Sequence, residues 1–117
     1  MKALIAAVLL TPAPAQAVPL ECDINTPATY AQGTVPILIN VELGSGKIEF
    51  HTLTEAVDGV VAVSEAEFRG WVTGTSGRRY WLSIDRYLGA LTLTREGLIS
   101  GQKADMWGEC RAAKQKF

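Results

Sequence analysis

An antiparallel all-β domain is the fold this sequence predicts, and three observations predict it. No stretch after residue 17 sustains the i, i+3, i+4 apolar spacing of an amphipathic helix. Several short runs rich in Val, Ile, Thr, Trp and Tyr alternate apolar with polar residues instead, the period of a half-buried strand. Glycine-bearing turn signals separate these runs at Gly44-Ser45-Gly46, Asp58-Gly59, Gly74-Thr75-Ser76-Gly77 and Gly89. Six strands in succession make a meander that curls into a small barrel or a flattened sandwich.

The chain has 117 residues, and its start reads as an export signal. Lys2 gives a positive n-region, Ala3 to Leu10 an apolar run, and Ala15-Gln16-Ala17 a small-x-small cleavage site. Residues 1–17 are therefore expected to be a signal peptide and 18–117 a single β-domain, periplasmic or secreted. The apolar run is far shorter than the ~20 residues a bilayer-spanning helix needs. Glu21 before Cys22 departs from the small residue that a lipid-attachment site requires. Cys22 and Cys110 are the only cysteines, and in an oxidising compartment they are expected to pair. Closing a loop of about 89 residues is worth roughly 4.5 kcal/mol on the chain-entropy account.

Strand one is expected over 35–43 and strand two over 47–54. A two-residue Ser45-Gly46 turn, with positive φ at Gly46, sets Leu43 opposite Ile48 and Val41 opposite Phe50. Asp58-Gly59 reads as the next turn, followed by a long run from Val60 to Val72. A three-residue loop, Thr75-Ser76-Gly77, with Gly77 left-handed, then pairs Val72 with Tyr80 inside and Trp71 with Trp81 outside. Arg86-Tyr87-Leu88-Gly89 closes a further hairpin that sets Ile84 opposite Leu91 and Leu82 opposite Leu93. Glu96-Gly97 and Ser100-Gly101 mark looser turns, and a last strand over about 104–112 carries Cys110.

Composition narrows the function. With 48% hydrophobic and 20% charged residues the chain is globular, and it contains no Walker, GxGxxG, HExxH or GxSxG pattern. Residues 18–67 carry eight acids and one base, residues 68–117 nine bases and four acids, a polar division of charge from −7 to +5. Without a dense Lys/Arg cluster, nucleic acid is not an expected partner. No cofactor or metal is expected either. An enzyme would have to use His51, the sole histidine, with Glu42 and Glu49, which the predicted register sets opposite one another. The aromatic pair is more informative: Trp71 and Trp81, flanked by Arg69, Arg79 and Ser83, have the composition of a surface that stacks a sugar or docks a protein loop. The pair is ordinary core if the N-terminal segment covers it. The expected function is thus a non-catalytic exported domain that binds a protein or a cell-envelope polysaccharide through Trp71, Trp81, Arg79 and Arg69, with Ser76 in the adjoining loop.

Two resemblances bear on this. The run from Tyr80 to Leu91 (Tyr-Trp-Leu-Ser-Ile-Asp-Arg-Tyr-Leu-Gly-Ala-Leu), with Gly108-Glu109-Cys110 and the terminal Lys116-Phe117, resembles a set of small exported proteobacterial proteins of unknown function over about the last forty residues. Separately, Ser76-Gly77-Arg78-Arg79-Tyr80 is similar to the SGxxY motif of the periplasmic inhibitors of C-type lysozyme, small β-barrels with a terminal disulfide. That resemblance implies that Ser76 enters the lysozyme cleft. The family's second loop also supplies a lysine, and the corresponding Arg86-Tyr87-Leu88-Gly89 has none.

Overall fold

The computed structural model describes residues 17–26, 33–97 and 106–113, all of them strand, turn or extended chain. Residues 1–16 of the expected signal peptide and the Ser100-Gly101 turn lie outside the described residues. Among the described residues nine strands form: β1 (Ala17–Asn25), β2 (Val35–Glu42), β3 (Lys47–His51), β4 (Ala56–Val60), β5 (Ala62–Val63), β6 (Glu67–Gly74), β7 (Arg79–Asp85), β8 (Ala90–Arg95) and β9 (Met106–Ala112). Eight of them close an antiparallel barrel: each pairs with its sequence neighbour, β4 pairs with β6, and β1 meets β9. The ninth, β5, continues along β6 in the register of β4, since Gly59 faces Val72 and Ala62 faces Arg69. The chain leaves that ladder only at Val61, whose N–H donates to the Gly46 carbonyl at 2.8 Å.

Eight strands enclose an interior lined by apolar side chains. Inward positions carry Leu20, Cys22 and Ile24 from β1, Ile39 and Val41 from β2, and Ile48 and Phe50 from β3, with Val57, Val61, Phe68, Val72, Tyr80, Leu82, Ile84, Leu91, Leu93 and Met106 completing the core. Outward positions are mainly polar or charged, the inverse of the polarity that a membrane-spanning barrel requires. No described helix is long and apolar enough to cross a membrane. At one end Arg86 caps the core. Its guanidinium lies 4.7 Å from the Phe68 ring centre, and its Nη1 donates to the Ser64 carbonyl at 2.6 Å.

The predicted Cys22–Cys110 disulfide is present, and its two residues face one another across β1 and β9. It therefore staples the seam where the first and last strands meet. Arg111 adds a charged clasp on the outside of the same seam, 2.7 Å from Asp23 and 3.2 Å from Glu21. These contacts join the basic end of the chain to its acidic start.

The strand count differs from six for two reasons. The segment holding Cys22 is itself a strand, and two turns carry no glycine. Thr52 and Ser64 each accept backbone N–H bonds at their hydroxyl from the residues two and three further on, closing Thr52-Leu53-Thr54-Glu55 and Ser64-Glu65-Ala66-Glu67. The expected strand over 47–54 thus ends at His51, and the run from Val60 to Val72 is divided among the end of β4, β5 and β6. Asp58-Gly59 is not a turn but part of β4. A Cβ on Gly59 would stand 2.8 Å from the Trp71 carbonyl oxygen, so the glycine serves a close strand approach.

The first hairpin has a four-residue loop over 43–46, closed by the Gly46 N–H to the Glu42 carbonyl at 2.7 Å. Val41 consequently faces Ile48, and Ile39 faces Phe50. This shifts the register by two from the expected pairing, so every side chain keeps its face. Gly46 has the predicted positive φ, 77°. The other two hairpins follow the sequence reading: Val72 faces Tyr80, Trp71 faces Trp81, Ile84 faces Leu91 and Leu82 faces Leu93.

Candidate functional site

The buried inward side chains are almost all apolar, so polar chemistry with a partner belongs to the barrel wall and its ends. The β6–β7 hairpin builds the most distinctive part of the wall. Gly77 is left-handed at φ 87°, and the Gly74 N–H donates to the Arg78 carbonyl at 2.9 Å, which sets the register. Phe68, Val72, Tyr80, Leu82 and Ile84 then point inward and Trp71 and Trp81 outward, side by side. Their ring centres are 5.3 Å apart at 71°, an edge-to-face pair. The rings keep 41% and 37% exposure, so the pair is not core. The described part of the N-terminal segment lies elsewhere, between β2 and β9.

Arg79 places its guanidinium 4.6 Å from the Trp71 ring centre and pairs with Glu96 at 3.2 Å. Arg69 stands opposite Ser83 on the other side of the indoles and pairs with Glu67 at 3.3 Å. All four charges are solvated, so these pairs orient side chains more than they stabilise the fold. Val60 is 67% exposed and continues the apolar row onto β4, where it faces Lys47.

Ser76 sits at the end of the same hairpin in an arrangement that spacing does not foretell. Its N–H and its hydroxyl both donate to Oε1 of Glu55, at 3.1 and 2.8 Å, while the Tyr80 hydroxyl donates to Oε2 at 3.0 Å. One carboxylate thereby ties the β3–β4 turn to the β6–β7 loop. Burial disfavours the Glu55 anion, but the hydrogen bonds from Ser76 and Tyr80 and the charge of Arg78 outweigh it, and its pKa is held below the ordinary carboxylate range. The Tyr80 phenol is pushed up by its own burial and by the Glu55 acceptor. Gly74 leaves the space that the Glu55 carboxylate fills. Glu55 and its partners are 21 and 25 residues apart in sequence, and only barrel closure joins them.

Of the residues considered for catalysis, Glu49 and His51 line one open depression together with Asn40 and Asp58, and Glu42 does not border it. Glu49 faces Asn40 on one side and Asp58 on the other, rather than Glu42. Glu42 pairs with Ala17 and accepts the Ser45 hydroxyl at 2.9 Å. The two-residue register shift causes the separation. His51 faces Ala56. Among the described residues no group of three or more His, Cys, Asp or Glu side chains is placed to hold a metal ion. Comparison of the chain with protein families, with curated proteins and with solved structures finds no match.

Proposed function

We propose that this protein is an exported, non-catalytic β-barrel that binds a protein or a cell-envelope polysaccharide through its outward aromatic and basic wall. Trp71 and Trp81 are the anchors, Arg79 and Arg69 the flanking cations, and Ser76 the rim. One observation carries the reading: two large indoles are paired on the outside of a barrel whose buried core does not include them. An aromatic pair half in water contributes only about 1 kcal/mol to a sheet, whereas at an interface such residues are the usual hot spots. Export is supported by the N-terminal signal pattern and by a disulfide of the kind that persists in oxidising compartments. The test compares the oxidised protein with a Trp71→Ala, Trp81→Ala variant in capture from envelope extract and cell-wall fragments. The variant is expected to melt within several degrees of the parent and to capture nothing; undiminished capture would sink the reading.

A second reading, inhibition of a C-type lysozyme, draws on the Ser76-Gly77-Arg78-Arg79-Tyr80 segment. What favours it is the Glu55 clamp, which fixes that loop at the barrel end. Titration of lysozyme activity with the purified protein decides it: no inhibition at equimolar and higher protein ends this reading.

A further inference from the structure

Two turns at one end of the barrel close independently, and the Glu55 carboxylate joins them. The β3–β4 turn is closed by Thr52, whose N–H and hydroxyl both donate to the Glu55 carbonyl, at 2.8 and 3.1 Å. The β6–β7 loop closes within its own hairpin, by the Gly74 N–H to the Arg78 carbonyl and the Gly77 N–H to the Gly74 carbonyl, each at 2.9 Å. Its root is fixed to β4, since the Thr75 N–H donates to the Ala56 carbonyl at 2.9 Å. Its tip is held differently, through the N–H and hydroxyl of Ser76 on Oε1 of Glu55. The seat of that carboxylate exists because residue 74 has no side chain: the atoms nearest to a Cβ placed there all belong to the Glu55 carboxylate. Gly74 has no positive φ, so space rather than backbone conformation calls for the glycine.

We infer that Glu55 is a pH-sensitive latch: ionised, it holds the tip of the β6–β7 loop against the β3–β4 turn, and protonated, it releases the tip while both turns and the barrel stay closed. The bonds from Ser76 and Tyr80 are all donated to the carboxylate, an arrangement that favours the anion over the acid. Protonation exchanges these charge-assisted bonds for neutral ones of roughly half the strength, and it ends the attraction of Arg78. Burial works against the anion, yet the bonds and Arg78 outweigh it, so the latch is closed at neutral pH and opens in acid below the ordinary carboxylate range. Among the described residues the charged and titratable groups that face the carboxylate are Tyr80 from β7 and Arg78 from the loop. Arg79, next along β7, pairs with Glu96 instead. Ser76 is the rim of the proposed binding wall, so the latch sets whether that rim is held. That consequence rests on the binding reading, whereas the latch itself does not.

The test is amide hydrogen exchange by NMR on the full oxidised chain from neutral to acid pH, each rate taken relative to that of an unstructured peptide at the same pH. The Ser76 amide is expected to lose protection roughly tenfold or more, the scale of one hydrogen bond to a charged group, with a midpoint below the ordinary carboxylate pKa. The Thr75 amide, bonded to backbone, should stay protected over the same range. Glu55→Gln should leave Ser76 weakly protected and indifferent to pH. Gly74→Ala keeps the charge but fills its seat. It should weaken Ser76 protection already at neutral pH and return the Glu55 carboxyl, followed by its side-chain carbon resonance, toward the ordinary carboxylate range. Ser76 protection that does not change with pH overturns the inference, and so does a Gly74→Ala variant in which Ser76 and Glu55 behave as in the parent. Loss of Thr75 protection in step with Ser76 overturns it too, because the hairpin then opens as a whole. No ligand enters the experiment, so either result leaves the wall reading to its own capture test.

Discussion

Glu55 accepts three hydrogen bonds and so makes local stability depend on its charge. Its pKa is lowered in the folded chain, so its contribution is fully present above the ordinary carboxylate pKa and is lost as pH falls through the lower, folded value. Glu55→Gln keeps the shape and removes the charge. At neutral pH the variant is expected to lose about 1–2 kcal/mol, the scale of hydrogen bonds to a charged acceptor in a partly exposed site. The deficit should shrink as the pH is lowered below the carboxylate range, where the parent has lost the same charge. Urea titrations of both proteins across that range check this, and a deficit independent of pH would show that the clamp acts through packing instead. Tyr80→Phe, which removes one of the donors and leaves the ring in the core, should cost less than Glu55→Gln.

The glycines that sit at turns divide into two kinds, and the division is testable. Gly46 and Gly89 end loops of the same form, each left-handed at φ 77° and each donating its N–H back across the loop, to Glu42 and to Asp85. Each also lies against a neighbouring strand: a Cβ on Gly46 would stand 2.2 Å from the Val61 carbonyl oxygen, and one on Gly89 2.2 Å from that of Cys110. Gly77 shares the conformation, with φ 87°, but has open space around it. Gly77→Ala is therefore expected to cost about 1–2 kcal/mol, the penalty of a left-handed L-residue. Gly46→Ala and Gly89→Ala should cost clearly more, because backbone must also move; thermal melts of the three variants give the order, and equal losses would contradict it. The same elements explain what sequence could foretell. The β6–β7 and β7–β8 hairpins were legible to the residue, and with them the outward Trp71–Trp81 pair, whereas the glycines of the β2–β3 turn fixed the face of each side chain but not the register. The Thr52 and Ser64 turns were not legible, because a hydroxyl followed three residues later by Glu is also how a helix begins. Glu55 escaped as a site residue because its partners, Ser76 and Tyr80, come from strands that only closure brings near.

Closure of the whole barrel depends on two strand pairs that join distant segments, β4 with β6 and β1 with β9. The β1–β9 seam spans the longest separation, 88 residues between Cys22 and Cys110, so ordering it from the unfolded chain carries the largest loop-closure cost. The disulfide removes most of that cost, and the exposed ion pairs of Arg111 with Glu21 and Asp23 add little. Cys22→Ala with Cys110→Ala is therefore expected to lose about 3–4 kcal/mol, somewhat below the entropic limit because the reduced chain keeps some structure. That is a large share of the roughly 5–15 kcal/mol that holds a domain of this size. The loss should also have a place. Amide exchange in the variant is expected to be fastest in β1 and β9, while β6, β7 and β8, joined by short hairpins, keep their protection relative to the rest. The tryptophan wall lies on those protected strands, so whatever fraction of the variant remains folded should still capture the partner. A loss below about 1 kcal/mol by urea titration would mean that the β1–β9 ladder closes the barrel unaided. Exchange that quickened evenly in all strands would mean that the seam and the wall open as one unit.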